Sequence, residues 1–133
     1  MGKRYKEGDI AFLATVGVLG WLVPGGGYFL LNEQRRALII FVTICVTFFV
    51  GLYAGSIGVV DPVGARLWYL AQVMTTPAVF VLGEYAKFGA YAVYGKPADV
   101  GQIYTSVAGL LNLLAIVNSV YVAHLRQTQK GEM

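Results

Sequence analysis

Four stretches of the chain hold no Asp, Glu, Lys, Arg or His: residues 10–32, 37–60, 67–83 and 100–123, of 23, 24, 17 and 24 residues. At 1.5 Å per residue the second and fourth are each about 36 Å long as helices, enough to cross a hydrocarbon core of about 30 Å with some tilt. The pattern predicts an all-α integral membrane protein, a single membrane domain over 1–133 with about four transmembrane segments near 6–23, 37–60, 67–83 and 100–124.

The third run opens with Leu67-Trp68-Tyr69 directly after Arg66, the start of an interface-anchored helix. Its Thr75-Thr76-Pro77 removes an intrahelical hydrogen bond that threonine hydroxyls partly replace, which predicts a kink within a continuing span. The first run is broken by Pro24-Gly25-Gly26-Gly27, so a helix must stop near Pro24. Extended back to Tyr5 or Lys6 it makes a short span, followed by a glycine turn and an interfacial segment over 28–36. There Tyr28, Phe29, Leu30 and Leu31 are expected at the membrane surface, with Arg35 and Arg36 reaching headgroups. Over 84–95, Tyr85, Phe88, Tyr91 and Tyr94 recur every three residues beside Glu84 and Lys87, which predicts a surface-lying helix before the last span. Gly95-Lys96-Pro97 is expected to end it and Asp99 to cap the final helix.

Composition sharpens this reading. Only 13% of the 133 residues are charged, against about 25% in a soluble domain. One Cys and one His exclude a disulfide scaffold and a structural zinc module, and the net charge of +3 is no footprint of a nucleic-acid domain. Lys3, Arg4 and Lys6 before an apolar stretch, with small Gly25 and Gly27 after it, have the layout of a secretion signal; the segment is nonetheless expected to be retained. With four spans both termini share a side. That side then holds Lys3, Arg4, Lys6, Arg66, Arg126 and Lys130 against Arg35, Arg36, Lys87 and Lys96 opposite, which favours cytoplasmic termini.

Two helix faces carry small or polar residues. Thr43, Thr47, Gly51 and Gly55 lie four apart, a spacing that lets backbones approach closely, either against this chain's own helices or in a dimer. Thr105, Asn112 and Ser119 lie seven apart with Ala108, Ala115 and Ala123 in the same seam. An Asn112 amide in hydrocarbon needs a partner on a neighbouring helix, whereas Asn118, on a second face, is left for water or a partner chain.

Chemistry is scarce. The charge-free runs contain no acid, base or proton relay, and the triple glycine lacks the Gly-Lys-Ser/Thr of a phosphate loop. A small transporter is the weakest reading, resting only on carbonyls freed at Pro24 or Pro77 that could line a path. His124, at the expected end of the last helix, is the only good candidate ligand for a haem or chlorin. No cofactor bound by this chain alone is expected, although pigment or lipid contact inside a host complex is compatible with its aromatics.

Residues Pro24-Gly25-Gly26-Gly27-Tyr28-Phe29-Leu30-Leu31-Asn32, with Arg35 and Arg36 before a new span, resemble the loop of the two-transmembrane domain family. Its pattern is Pro-Gly-x-Gly-His-Phe-Tyr-Leu-Gly followed by basic residues. Pro24, Gly25, Gly27, Phe29, Leu31 and the arginines match; Tyr28 stands for the His, Leu30 for the Tyr and Asn32 for the final Gly. The stretch from Val107 to Asn118, with Ala108-Gly109-Leu110-Leu111-Asn112-Leu113-Leu114, resembles the last helix of a related four-span bacterial family of unknown function. The resemblance implies a bacterial inner-membrane protein and brings no activity. The leading expectation is a non-catalytic accessory subunit of a larger membrane complex, such as one of respiratory or photosynthetic electron transport. Its partners would be lipids and other integral membrane subunits, and no nucleic acid. The alternative is a free-standing homo-oligomer in lipid or envelope maintenance.

Overall fold

Proline removes a backbone donor and glycine accepts a left-handed backbone, so a helix running into Pro24-Gly25 has to stop and is free to turn. The computed structural model, which describes residues 7–89 and 95–133, shows it doing both. Helix α1 (Glu7–Leu22) ends, Gly25 takes φ 76°, and a five-residue helix α2 (Gly26–Leu30) runs back. Contact establishes the reversal. A Cβ on Gly27 would lie 3.0 Å from the Val16 carbonyl, whereas a continuous helix would separate these residues by about 16 Å.

Helices α3 (Gln34–Gly55) and α6 (Lys96–Glu132), of 22 and 37 residues, are the only two among the described residues with the length and hydropathy to cross a membrane. They run antiparallel. Gly51 and Gly55, late in α3, lie on Gly101, early in α6, while Glu33, just before α3, pairs with Arg126 near the other end of α6.

The third apolar run is not a kinked span. It divides at 74–77 into helices α4 (Arg66–Val73) and α5 (Ala78–Phe88), of 8 and 11 residues, both too short to cross. Straight through, Tyr69 and Gly83 would be about 21 Å apart. Instead the Tyr69 ring sits 3.0 Å from where a Gly83 Cβ would be and packs edge-on to Phe80 at 6.2 Å, so α5 folds back beside α4.

Positions along α6 give the levels. Gln127 Nε2 donates to the Asp9 carbonyl at the start of α1, and Asn112 Nδ2 donates to the Gly20 carbonyl near its end. After α2 the chain is back at Arg126, whose guanidinium bonds the Leu31 carbonyl at 2.5 Å. The α1–α2 hairpin therefore enters from one end of the α3–α6 pair and returns to that end from half-way. From the opposite end, Ser106 meets Trp68, Gly109 meets Ala71, and Asn112 reaches Met74 and Thr75. Both hairpins stop at Asn112.

Other expected boundaries move with this. The second span ends at Gly55 rather than 60, because Ser56 takes φ 67° and the chain turns into a short 3₁₀ turn, Ile57–Val59. Val59 and Val60 are then fully buried. Residues 28–36 do not form one surface-lying stretch. Tyr28 and Leu31 are buried, Phe29 and Leu30 face outward, and Gln34 to Arg36 already belong to α3. Glu84 to Phe88 finish α5, and residues 90–94 of the expected interfacial helix lie outside the described residues. Helix α6 starts at Lys96 with Pro97 in its first turn, so Asp99 lies inside that turn instead of capping it. It runs on to Glu132, past the end expected near 124.

Two apolar clusters result. Val16, Tyr28, Leu31, Ala37 and Ala123 pack under the first hairpin; Ile44, Phe48, Val59, Val60, Val73, Val79 and Ala108 pack beside the second. A layer of polar side chains separates them.

Candidate functional site

Every helix end leaves carbonyls without an intrahelical donor, and burying them unpaired is costly. Two such ends, those of α1 and α4, converge half-way along α6. Asn112, fully buried, supplies the donors: its Nδ2 lies 3.1 Å from the Gly20 carbonyl, 2.9 Å from that of Met74 and 2.9 Å from that of Thr75. Its two amide hydrogens are thus shared among three acceptors. Trp21 Nε1 donates to the Val73 carbonyl at 2.9 Å and Thr76 Oγ1 to the Leu22 carbonyl at 3.1 Å, tying the hairpin tips to each other. Backbone turns occupy others. Met74 N bonds Ala71 O, Thr75 N bonds Gln72 O, and Val23 N bonds Leu19 O.

One level further along, Gln72, also fully buried, donates to the Val59 carbonyl at 3.1 Å and to Thr105 Oγ1 at 2.8 Å. Thr105 passes its own proton to the Gly101 carbonyl at 2.8 Å. Gln72 Oε1, Thr75 Oγ1 and Asn112 Oδ1 are buried without a hydrogen-bond partner. The layer is neutral throughout. It holds amides, hydroxyls and an indole, and no group that gives or takes a proton near neutral pH.

The remaining sequence-predicted residues are dispersed. Gly51 and Gly55 are closed by α6: a Cβ on Gly51 would stand 2.7 Å from Thr105 Cγ2 and 2.9 Å from the Gly101 carbonyl. Thr47 is half-buried and, like exposed Thr43, bonds the carbonyl four residues back along its own helix. Ser119, buried, bonds Ile116 O and stands 2.5 Å from where a Gly27 Cβ would be. Pro24, Gly25 and Gly27 are buried in the first hairpin, Phe29 faces outward, and Arg35 and Arg36 stand exposed at the start of α3. Asn118 does not wait for water or a partner chain: its Nδ2 donates to the Tyr28 hydroxyl at 2.5 Å.

His124 is not at a helix end. It lies half-buried with two further turns of α6 beyond it, far along the helix from the Asn112 layer. Among the described residues no three His, Cys, Asp or Glu side chains gather as a metal site. Outside the polar layer, Glu84 bonds Lys87 at 2.7 Å at the end of α5 and holds its ammonium above the usual lysine range.

The residues of this region that the sequence pattern did not single out are Trp21, Gln72 and Gly109. Gly109 had a visible signal, since Gly101, Thr105 and Gly109 lie four apart on one face of α6 as Gly51 and Gly55 do on α3. A Cβ on Gly109 would collide with the Ala71 carbonyl, so α4 lies directly on α6 there. Gln72 had none, because a single glutamine in an apolar run names no partner.

Among the described residues, fold and site together define an all-helical protein with two helices able to cross a membrane and a neutral polar layer buried where the two hairpin tips meet α6. The chain belongs to a family of unknown function, DUF6677, whose model matches residues 15–131. No curated protein and no solved structure matches it significantly.

Proposed function

We propose that this chain is a multi-pass protein of the bacterial inner membrane that acts as a non-catalytic accessory subunit of a larger membrane complex. In this reading α3 and α6 span, and the two hairpins are re-entrant. Irregular backbone at membrane depth is tolerated only where protein or a water-filled cavity covers it. Here Asn112, Trp21 and Thr76 cover it.

One observation carries the proposal. The polar layer is closed by the chain's own side chains, and what faces outward along α3 and α6 is apolar: Leu38, Ile39, Val46, Phe49, Leu110, Leu114 and Val117 are all at least half exposed. Such a surface fits lipid and neighbouring helices. Carbonyls freed at the two prolines are already engaged, which leaves a transporter without its motive. Gly51 and Gly55, the motive for self-association, are covered by α6. No cofactor of its own is proposed, since the only His of the sequence stands away from the buried layer.

Re-entrant hairpins also re-sort the charges. Arg35 and Arg36 move to the side of the termini and Arg66 leaves it. That side then holds Lys3, Arg4, Lys6, Arg35, Arg36, Arg126 and Lys130, against Arg66, Lys87 and Lys96. The bias supports cytoplasmic termini more firmly than four spans did. Kinship with the two-transmembrane domain family, supported by Pro24, Gly25, Gly27 and Phe29, belongs to the same proposal.

The test is gentle solubilisation from native membranes followed by native mass measurement. Recovery with other integral membrane chains in fixed ratio is expected. Recovery only as itself or as simple multiples of 14.4 kDa would reject the accessory role.

A further inference from the structure

The end of the molecule that holds Glu33 and Arg126 is basic in an ordered way. Arg36 is braced three times over: its guanidinium pairs with Glu33 at 2.9 Å, lies 5.6 Å above the Tyr28 ring, and shares Glu33 with Arg126. Tyr28 is itself 1% exposed and held by Asn118, so this brace rests on rigid structure. Arg35, next to it, is exposed and has no hydrogen bond or ion pair among the described residues. The two line a notch of about 480 Å³ formed by residues 32–36. Directly after Arg36 the chain carries no charge as far as Asp61. If α3 spans, both guanidinia therefore sit at the boundary of the hydrocarbon, where lipid phosphates lie. At the opposite end Lys87 is paired with Glu84.

We propose that this notch is a binding site for the headgroup of an anionic phospholipid, with Arg35 and Arg36 on its phosphodiester. One Glu33 carboxylate is shared by two guanidiniums, which leaves net positive charge at the notch. Guanidinium suits a phosphate oxygen pair in geometry as well as charge. The chain's first re-entrant hairpin is what delivers these arginines to the side of the termini, the side facing the anionic cytoplasmic leaflet. This inference rests on the membrane reading above.

The full chain, purified in mild detergent, is offered phosphatidylglycerol or phosphatidylcholine with identical acyl chains, and bound lipids are counted by native mass spectrometry. Several-fold preferential retention of phosphatidylglycerol is expected. Arg35→Gln, at an exposed residue with no hydrogen bond or ion pair among the described residues, is expected to lower that preference about fivefold; Arg36→Gln does at least as much. Arg66→Gln, at the far end, leaves it unchanged. Equal retention of both lipids, an Arg35→Gln protein with unaltered preference, or an equal loss from Arg66→Gln overturns the site. Displacement of phosphatidylglycerol by the same concentration of sodium phosphate would make it a free-phosphate site and equally overturn it. Recovery of the chain from cells without detergent would instead bring down the membrane reading, which a mere lack of headgroup preference leaves standing.

Discussion

The two hairpins perform the same manoeuvre with different materials. In α1–α2 the turn is built of glycines: Gly27 lets the returning strand of chain sit on Val16 and Ser119, and α2 is wedged among α1, α3 and α6. In α4–α5 the turn is Thr75-Thr76-Pro77, with a larger residue at each position. There the returning helix stands off, held by the Tyr69 ring against Phe80 and Gly83 and by Val79 against Val59 and Val60. Between α5 and α3 remains an apolar groove of about 610 Å³, bordered by Phe41, Cys45 and Phe48 on one wall and Thr76, Val79 and Leu82 on the other. Close-packed backbones leave no room for side chains, and side-chain spacers leave room for something else. The first hairpin is packed in through both its helices, whereas in the second α4 lies directly on α6 and only α5 is an arm.

Asn112 is the point the hairpins share, and its removal has the largest expected effect. Asn112→Leu strips the donor from three buried carbonyls, at about 1–3 kcal/mol for each one left unpaired, so both tips should open. Hydrogen exchange should rise at 20–24 and at 73–79 together; a rise in only one would show that the hairpins are anchored separately. Next comes Gly27→Val, whose branched side chain meets Ser119 Oγ and the Val16 carbonyl. Overpacking of this kind costs about 1–3 kcal/mol, seen as a lowered midpoint of thermal unfolding in detergent. Gly83→Val is the matched change in the second hairpin. Its Cβ meets only the Tyr69 ring, which can yield, and the loss should be well below that of Gly27→Val. Equal losses would erase the contrast between core and arm. Trp21→Phe removes the donor to Val73 O while keeping the ring, at a cost of about 0.5–1.5 kcal/mol. Ala78→Leu, placed on the border of the groove, should change stability by less than about 0.5 kcal/mol, because space is available there.

Much of this was legible in the chain. Pro24-Gly25 announces the end of a helix, Gly51 and Gly55 announce a close approach, and an Asn in an apolar run demands a partner. The direction of the chain after each break was not legible. A proline says that a helix stops; whether the next helix continues or doubles back is decided by contacts far away in sequence, such as Gly109 on Ala71 and Tyr69 on Gly83. Reading both broken runs as full spans placed Arg35 and Arg36 at the end away from Arg126. Glu33 and Arg126, 93 residues apart, correct that assignment, and no local pattern foretells the pair. For the same reason the buried layer was half visible: Asn112 and Thr105 stand in a periodic seam, whereas Gln72 and Trp21 join it only because the hairpins bring them there.

The order in which the chain is made gives the placement of Asn112 a further consequence. Helix α6 is the last element, and both hairpins dock on it. During synthesis the two breaks therefore emerge long before the residue that satisfies them. Until position 112 has been made, α1 and α4 have helix ends with no partner, and only α3 is long and apolar enough to be held in a bilayer by itself. The buried layer therefore cannot close before the final helix has been made. The long sequence separations of the key bonds, 92 residues for Asn112 to Gly20 and 52 for Trp21 to Val73, make this a slow, late closure.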